Sequence, residues 1–182
     1  MEYGMSELWD LLDEDRHPLM IKQVRGKQLP KDTFHQVVFI WTVSTNGMFL
    51  ITKRSPNKPW GGYWENTGGS VLAGETREAG VIRELYEETG VKIKQEDLVL
   101  ISEDKGFVTF EDMFLTIVDQ AKQKIVLQEG ETCDYQWIDY NQLEQMMEEE
   151  VFALPVIKRF NQSKERILNY LKSKNILVRD DL

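Results

Sequence analysis

Apolar and polar positions alternate along most of this chain and change to a helical period in three places. "ELWDLLDEDRHPLMIKQV" has an apolar run, a polar turn at Asp13 to Pro18 and a second apolar run, the pattern of a β-hairpin. "FHQVVFIWTVS" is rich in β-branched and aromatic residues, meets the turn pair Asn46-Gly47 and returns as "MFLITKRS". "SPNKPWGG" is punctuated by Pro and Gly and reads as a loop, and "YWENTGGS" reads as a short strand running into glycines. Residues 76 to 89 read as a helix, with Thr76 to cap it, Glu78 in its positive first turn and Gly90 to stop it. "VKIKQEDLVLIS", "GFVTFEDMFLTIVD", "KIVLQ" and "TCDYQWI" are all strand-like. "YNQLEQMMEEE" is a helix. A last helix follows, with Val156, Ile157, Phe160, Ile167, Leu168 and Leu171 on a helical period. The expected class is α+β, a mixed sheet sandwiched by helices. The expected organisation is an N-terminal hairpin extension over 1–30, a body over 31–150 and a C-terminal helix over 151–182 packed on that body.

Composition narrows the function. The chain has 182 residues, a length that suits one domain with a substantial core. Its net charge of -9 argues against holding a nucleic-acid backbone, which takes clustered Lys and Arg, and so against RNA decapping. It leaves an anionic small molecule open, because a divalent cation can supply positive charge locally. The lone Cys133 excludes an intramolecular disulfide and is expected as a small structural residue on a strand. The N-terminus "MEYGMSELWD" lacks the apolar core of a signal peptide, and no apolar run reaches transmembrane length; the expectation is a cytoplasmic protein without membrane contact.

The mid-chain helix carries a question of charge. Glu84, Glu87 and Glu88 fall within an arc of about 100° on it. Ala79, Ile82 and Leu85 form the apolar stripe on the other side. Like charges at these spacings destabilise a helix, and only Arg83 compensates nearby. Gly80 in the middle costs about 1 kcal/mol relative to Ala, which suggests that something packs close to the backbone there. A solvated acidic face is one reading. The other is a site for Mg²⁺, which prefers hard oxygen ligands on a rigid element and shares its shell with substrate phosphates.

The stretch from Gly69 resembles the Nudix box, G-x5-E-x7-R-E-U-x-E-E-x-G-U with U aliphatic. Here Gly69 is followed after five residues by Glu75, after seven more by Arg83-Glu84-Leu85, and then by Glu87, Glu88, Gly90 and Val91; every fixed position matches. The resemblance covers about residues 34 to 150 and implies a Nudix-like α/β/α sandwich. It also implies a hydrolase of a nucleoside diphosphate linked to another group X. On this resemblance Glu84, Glu87 and Glu88, helped by the Gly69 carbonyl, would bind Mg²⁺ or Mn²⁺, and Glu75 and Arg83 would hold loop and helix in register. One glutamate of the cluster, or a carboxylate of the later "LQEGET" loop (Glu129 or Glu131), would take the proton from the attacking water.

"ELWDLLDEDRHP", "LITKRSPNKPWGGYWENTGGS" and "YQWID" also resemble the Nudix branch related to isopentenyl-diphosphate isomerase. That enzyme has a catalytic Cys after the W-x-N segment, where this chain has Gly68 and Gly69. The combined expectation is an isomerase-like scaffold with hydrolase chemistry. His35 falls where the isomerase has a metal-ligand His; the alternative is a structural hydrogen-bonder. Lys53 and Arg54 end a strand where a phosphate could meet them. Trp60, Tyr63 and Trp64 are candidates to stack on a base or ring, with core as the alternative for Trp64. Glu65 is a candidate extra ligand, and Phe107 and Phe110 are core or lid. The hairpin over residues 5 to 25 either covers its own domain or reaches across a homodimer. Three functions stay in view: a pyrophosphohydrolase, a nucleotide-sensing module and an isomerase. The identity of X, from ADP-ribose and dinucleoside polyphosphates to oxidised nucleotides or a prenyl diphosphate, is not written in the motif.

Overall fold

The structure is a computed structural model and describes residues 7–176. The N-terminal hairpin forms as expected, with β1 (Leu8–Leu12) antiparallel to β2 (Pro18–Val24). The main sheet is mixed. β3 (His35–Ser44) and β4 (Phe49–Arg54) are joined at the Asn46-Gly47 turn, where Gly47 has φ 80°. β5 (Trp64–Glu65) pairs with β4, and β6 (Thr67–Ser70) pairs with β3, so "YWENTGGS" is two strands broken at Asn66. β7 (Val99–Lys105) is antiparallel to β8 (Thr109–Val118). β8 runs parallel to β3 across all ten residues from His35–Thr109 to Ser44–Val118. β9 (Thr132–Ile138) closes the other side of β4.

Helices cover both faces. α1 (Arg77–Thr89) packs on one; α2 (Tyr140–Glu148) and α3 (Leu154–Ser173) pack on the other. The pleat of β3 explains the division. Val38 and Ile40 join Val81 and Leu85 under α1, while Trp41 and Val43 point to Phe160, Ile167 and Leu171 of α3. Trp41 meets Phe49 and Phe160 edge-on. The apolar side of α1 is Val81 and Leu85 with Ile82 beside them; Ala79, expected in that stripe, is exposed. Two strand-like segments are not strands. Residues 91–94 are irregular and lead into a single 3₁₀ turn, Gln95–Asp97. "KIVLQ" runs past the end of α1, its Val126 and Gln128 amides donating to the Thr89 and Glu88 carbonyls. Both put apolar residues, Ile93 and Ile125, onto the α1-side core, which is why they read as β. Among the described residues no helix is long and apolar enough to cross a membrane.

The hairpin lies against the body. Leu11 is fully buried, Leu12 bridges Phe34, and the Ala73 and Gly74 amides donate to the Leu8 carbonyl and the Asp10 carboxylate at 2.8 and 2.6 Å. Trp9 stacks flat on His35 at 3.9 Å. Burial holds the His35 pKa down at about 4, with the nearby Arg25 charge adding to it. The unfolded chain therefore binds a proton between pH 6.5 and 4 that the folded chain does not, and stability falls as pH falls through that window. Urea unfolding at pH 7 and pH 5 is expected to show about 2 kcal/mol of loss from this residue. His35→Phe, which keeps a flat ring under Trp9, should remove that loss; an unchanged pH dependence would refute the assignment.

Candidate active site

The site starts from a clamp. The Thr76 hydroxyl accepts from the Ala79 amide and starts α1; Gly90, at φ 74°, ends it. Arg83 reaches back over the loop before the helix. It donates to both Glu75 oxygens at 2.8 and 3.0 Å and to the Ser70 carbonyl at 3.0 Å. The second Glu75 oxygen also accepts the Leu72 amide. Burial works to raise the Glu75 carboxyl, and Arg83 with the Leu72 amide outweighs it, leaving the group below its ordinary range. Gly80 has its reason here: a Cβ would lie 3.0 Å from Val71 Cγ2. Arg83, Glu75 and Gly80 together press the 70–76 loop onto α1.

The three helix glutamates are not equivalent. Glu87 is half exposed and pairs with Arg83 at 3.0 Å. Glu84 pairs with Arg83 at 2.9 Å, and its carboxylate lies on Gly69, where a Cβ would come within 2.2 Å of it. Glu88 is buried, and its Oε2 has no hydrogen-bond partner. Burial raises the Glu88 carboxyl well above the ordinary range, and the charges of Glu65 and Glu84 push the same way. Burial also raises Glu65 and Glu84. A buried carboxylate oxygen without a donor, facing two further carboxylates, is costly unless a cation arrives. This donor set of hard oxygens fits Mg²⁺ or Mn²⁺. Among the described residues no group of three acidic, His or Cys side chains is already gathered about one point. Arg83 holds Glu84 and Glu87 aside, and their side chains would have to turn inward.

Cations border this cluster on the strand side. Arg54 pairs with Glu65 and donates to the Pro59 carbonyl at 2.7 Å, so it fixes the 55–63 loop as well. Lys58, in that loop, pairs with Glu131, and its charge is felt by Glu88 and Glu65. The 128–131 turn sits beside them: the Gln128 amide and Thr132 hydroxyl both bond the Glu88 carbonyl. Thus Glu65, Arg54 and Glu131 join the helix carboxylates. Lys58, which the sequence reading passed over as part of a Pro-rich loop, joins them too; a lone Lys between prolines gives no periodic signal.

Other candidates lie elsewhere. Trp64 is in the core on the α3 side, with Lys53 over its ring at 5.4 Å, so neither ring face is free for a base. Its partner in the loop, Trp60, is exposed and meets Tyr63 edge-on. His35 is taken up by the Trp9 stack. Phe110 is buried, and Phe107 is almost fully exposed. Cys133 is exposed on β9, its thiol 3.5 Å from the Arg54 carbonyl, rather than a packed core residue. Gly68 has no room for a larger residue: a Cβ would meet the Phe39 ring at 2.4 Å and the Val38 carbonyl at 2.7 Å. A Cys there would displace the strand beneath it.

Sheet, box helix and carboxylate cluster define a class. The NUDIX domain family matches residues 33–160, and the chain belongs to the Nudix hydrolases. A Nudix hydrolase of Listeria monocytogenes is 30% identical over 140 residues, 76% of this chain and 83% of that one. The NAD-capped RNA hydrolase NudC of Haemophilus influenzae is 38% identical over 95 residues, 52% of this chain and 35% of that one. Among solved structures, DR0079 from Deinococcus radiodurans has a TM-score of 0.71 at 19% identity over 86% of this chain and 99% of that chain, a likeness of fold.

Proposed function

We propose that this protein is a Mg²⁺- or Mn²⁺-dependent pyrophosphohydrolase that cleaves the diphosphate of a nucleoside diphosphate linked to another group. The observation that carries the proposal is the buried, partnerless Oε2 of Glu88 beside Glu65 and Glu84. A divalent cation bound there supplies neutralising charge for the diphosphate and acidity for the water that attacks it. The chain's own residues do the rest. Glu84, Glu87, Glu88 and the Gly69 carbonyl hold the cation. Arg83 and Glu75 keep loop and helix in register, so the carboxylates stay in place. Lys58 and Arg54 offer donors to the phosphate oxygens; Arg54 has to share itself with Glu65 to do so. Glu131, held by Lys58, is placed to take a proton. The water oxygen bonds to one phosphorus and the bridging P–O bond breaks. The bridging oxygen leaves with the second phosphate, and the water proton passes to the carboxylate.

The name of the NudC relative supports a diphosphate inside a dinucleotide. The net charge of -9 favours a small molecule over the RNA it is attached to. The N-terminal resemblance supports an isomerase-like scaffold, and the crowding at Gly68 speaks against isomerase chemistry on it. We place the protein in the cytoplasm on its lone Cys. The test is product analysis with a panel of nucleoside diphosphate derivatives and prenyl diphosphates, with Mg²⁺, Mn²⁺ or EDTA. Two monophosphate products that need the metal are expected. An intact but rearranged diphosphate would instead mean an isomerase, and binding without turnover a sensor.

A further inference from the structure

Beyond the carboxylates, a cavity of about 460 Å³ opens between the 59–63 loop, the β7–β8 turn and the start of α3. That volume lies in the range of small-molecule sites. Trp60 stands at one wall, Leu154 and Pro155 at another, and Lys105, Lys158 and Arg159 bring positive charge. Asp104 and Glu111 also line it, so the lining carries three cations against two anions in a chain of net charge -9.

The cavity is coupled to the diphosphate site by backbone and side chain. Residues 151–153, just before α3, bond the strand that carries Glu65: the Trp64 amide donates to the Val151 carbonyl at 2.9 Å and the Ala153 amide to the Trp64 carbonyl at 3.1 Å. Arg159 spans the two compartments. It pairs with Glu111 at 3.5 Å, lies 3.6 Å over the Phe39 ring under Gly68, and feels the charge of Glu65. Its Nε is buried without a partner. The loop that carries Trp60 is rigidly held, with the Gly62 amide on the Arg54 carbonyl and Arg54 on the Pro59 carbonyl. Trp60 itself has φ 59°, rare for a bulky residue and typical of side chains fixed for a ligand. Lys158 is exposed and makes no ion pair among the described residues. Lys105 is already bound to the Glu14 carbonyl, so Lys158 is the cation left for a ligand.

We infer that this cavity holds the nucleoside end of the substrate, with a planar base against Trp60 and an additional anionic group on its sugar beside Lys158. The inference rests on the pyrophosphohydrolase reading for its orientation, with the diphosphate between Arg159 and the helix carboxylates. It selects nucleotides that carry one phosphate more than a plain dinucleotide.

The test uses the full chain as the Glu87→Gln variant, so that binding is read without turnover. Calorimetric titration compares NAD⁺ with NADP⁺, and dephospho-coenzyme A with coenzyme A; each pair differs by one phosphate on the adenosine ribose. In at least one pair the phosphorylated member should bind about tenfold tighter. Adding Lys158→Ala should erase that preference and leave the other member unchanged. Adding Trp60→Ala should weaken both members by roughly tenfold. Equal affinities within both pairs, no binding of any of the four, or preferences untouched by both substitutions would overturn the inference. Because no product is measured, a protein that fails to hydrolyse these compounds but shows the Lys158-dependent preference keeps the cavity assignment and loses only the reaction.

Discussion

Glu88→Gln is expected to make the metal-free protein more heat-stable and, at the same time, inactive. The side chain is buried, one of its oxygens has no donor, and Glu65 and Glu84 face it. A neutral amide of the same shape relieves that repulsion. Removing such a functional strain is worth about 1 to 2 kcal/mol, a rise of roughly 2 to 6 °C for a domain of this size. The same change removes a ligand for the cation, and hydrolysis should fall about a thousandfold or more, roughly 4 kcal/mol of transition-state stabilisation. Thermal unfolding in EDTA and turnover in Mg²⁺ on the same two proteins check both signs. A Glu88→Gln protein that melts lower without metal would mean that Glu88 is a structural hydrogen-bonder.

Asp112→Ala is expected to give the largest loss of stability outside the core. Asp112 sits on β8, fully buried, and accepts from Arg16 at 2.8 and 3.2 Å and from Arg77 at 2.9 Å. Arg16 is in the hairpin turn, at φ 66°, and lies over the Phe110 ring at 4.6 Å; Arg77 opens α1. One carboxylate thus ties the hairpin, the box helix and the sheet together. Its removal leaves two half-buried guanidinium groups without their main partner; Glu103, exposed, is a weak substitute. Breaking a buried pair costs about 3 to 5 kcal/mol, and the exposure of the arginines puts this case near the lower figure. Urea unfolding gives the loss. Limited proteolysis should cut at residues 13–17 in the variant well before wild type. Equal cutting in both would mean that the Leu11 and Trp9 contacts alone hold the hairpin.

The box helix was legible because each of its signals is local. Thr76, Gly90, the 84–87–88 spacing and the tight approach at Gly80 are all set within twenty residues of chain. The hairpin strands were legible through their turns for the same reason. What the sequence hid depends on partners far away. Glu88 and Glu87 are adjacent and chemically identical, yet only Glu88 turns under the 128–131 loop. Trp64 and Trp60 flank the same glycines, and only the pairing of β5 with β4 sends Trp64 inward. Asp112 reads as a polar break in a strand until Arg16 and Arg77 are seen to meet there. Arg159 lies on the helical period between Val156 and Phe160, and nothing near it in sequence reveals Glu111 or Phe39.

The central claim is that the carboxylates on α1 hold a divalent cation. Mn²⁺ binding followed by electron paramagnetic resonance tests it most directly, with wild type, Glu84→Gln and Glu88→Gln compared without substrate. Wild type should take up Mn²⁺, with Mg²⁺ displacing it, and each variant should bind at least about tenfold more weakly. Mn²⁺ bound equally well by all three proteins would contradict the account, because the cation would then be held somewhere other than at Glu84 and Glu88.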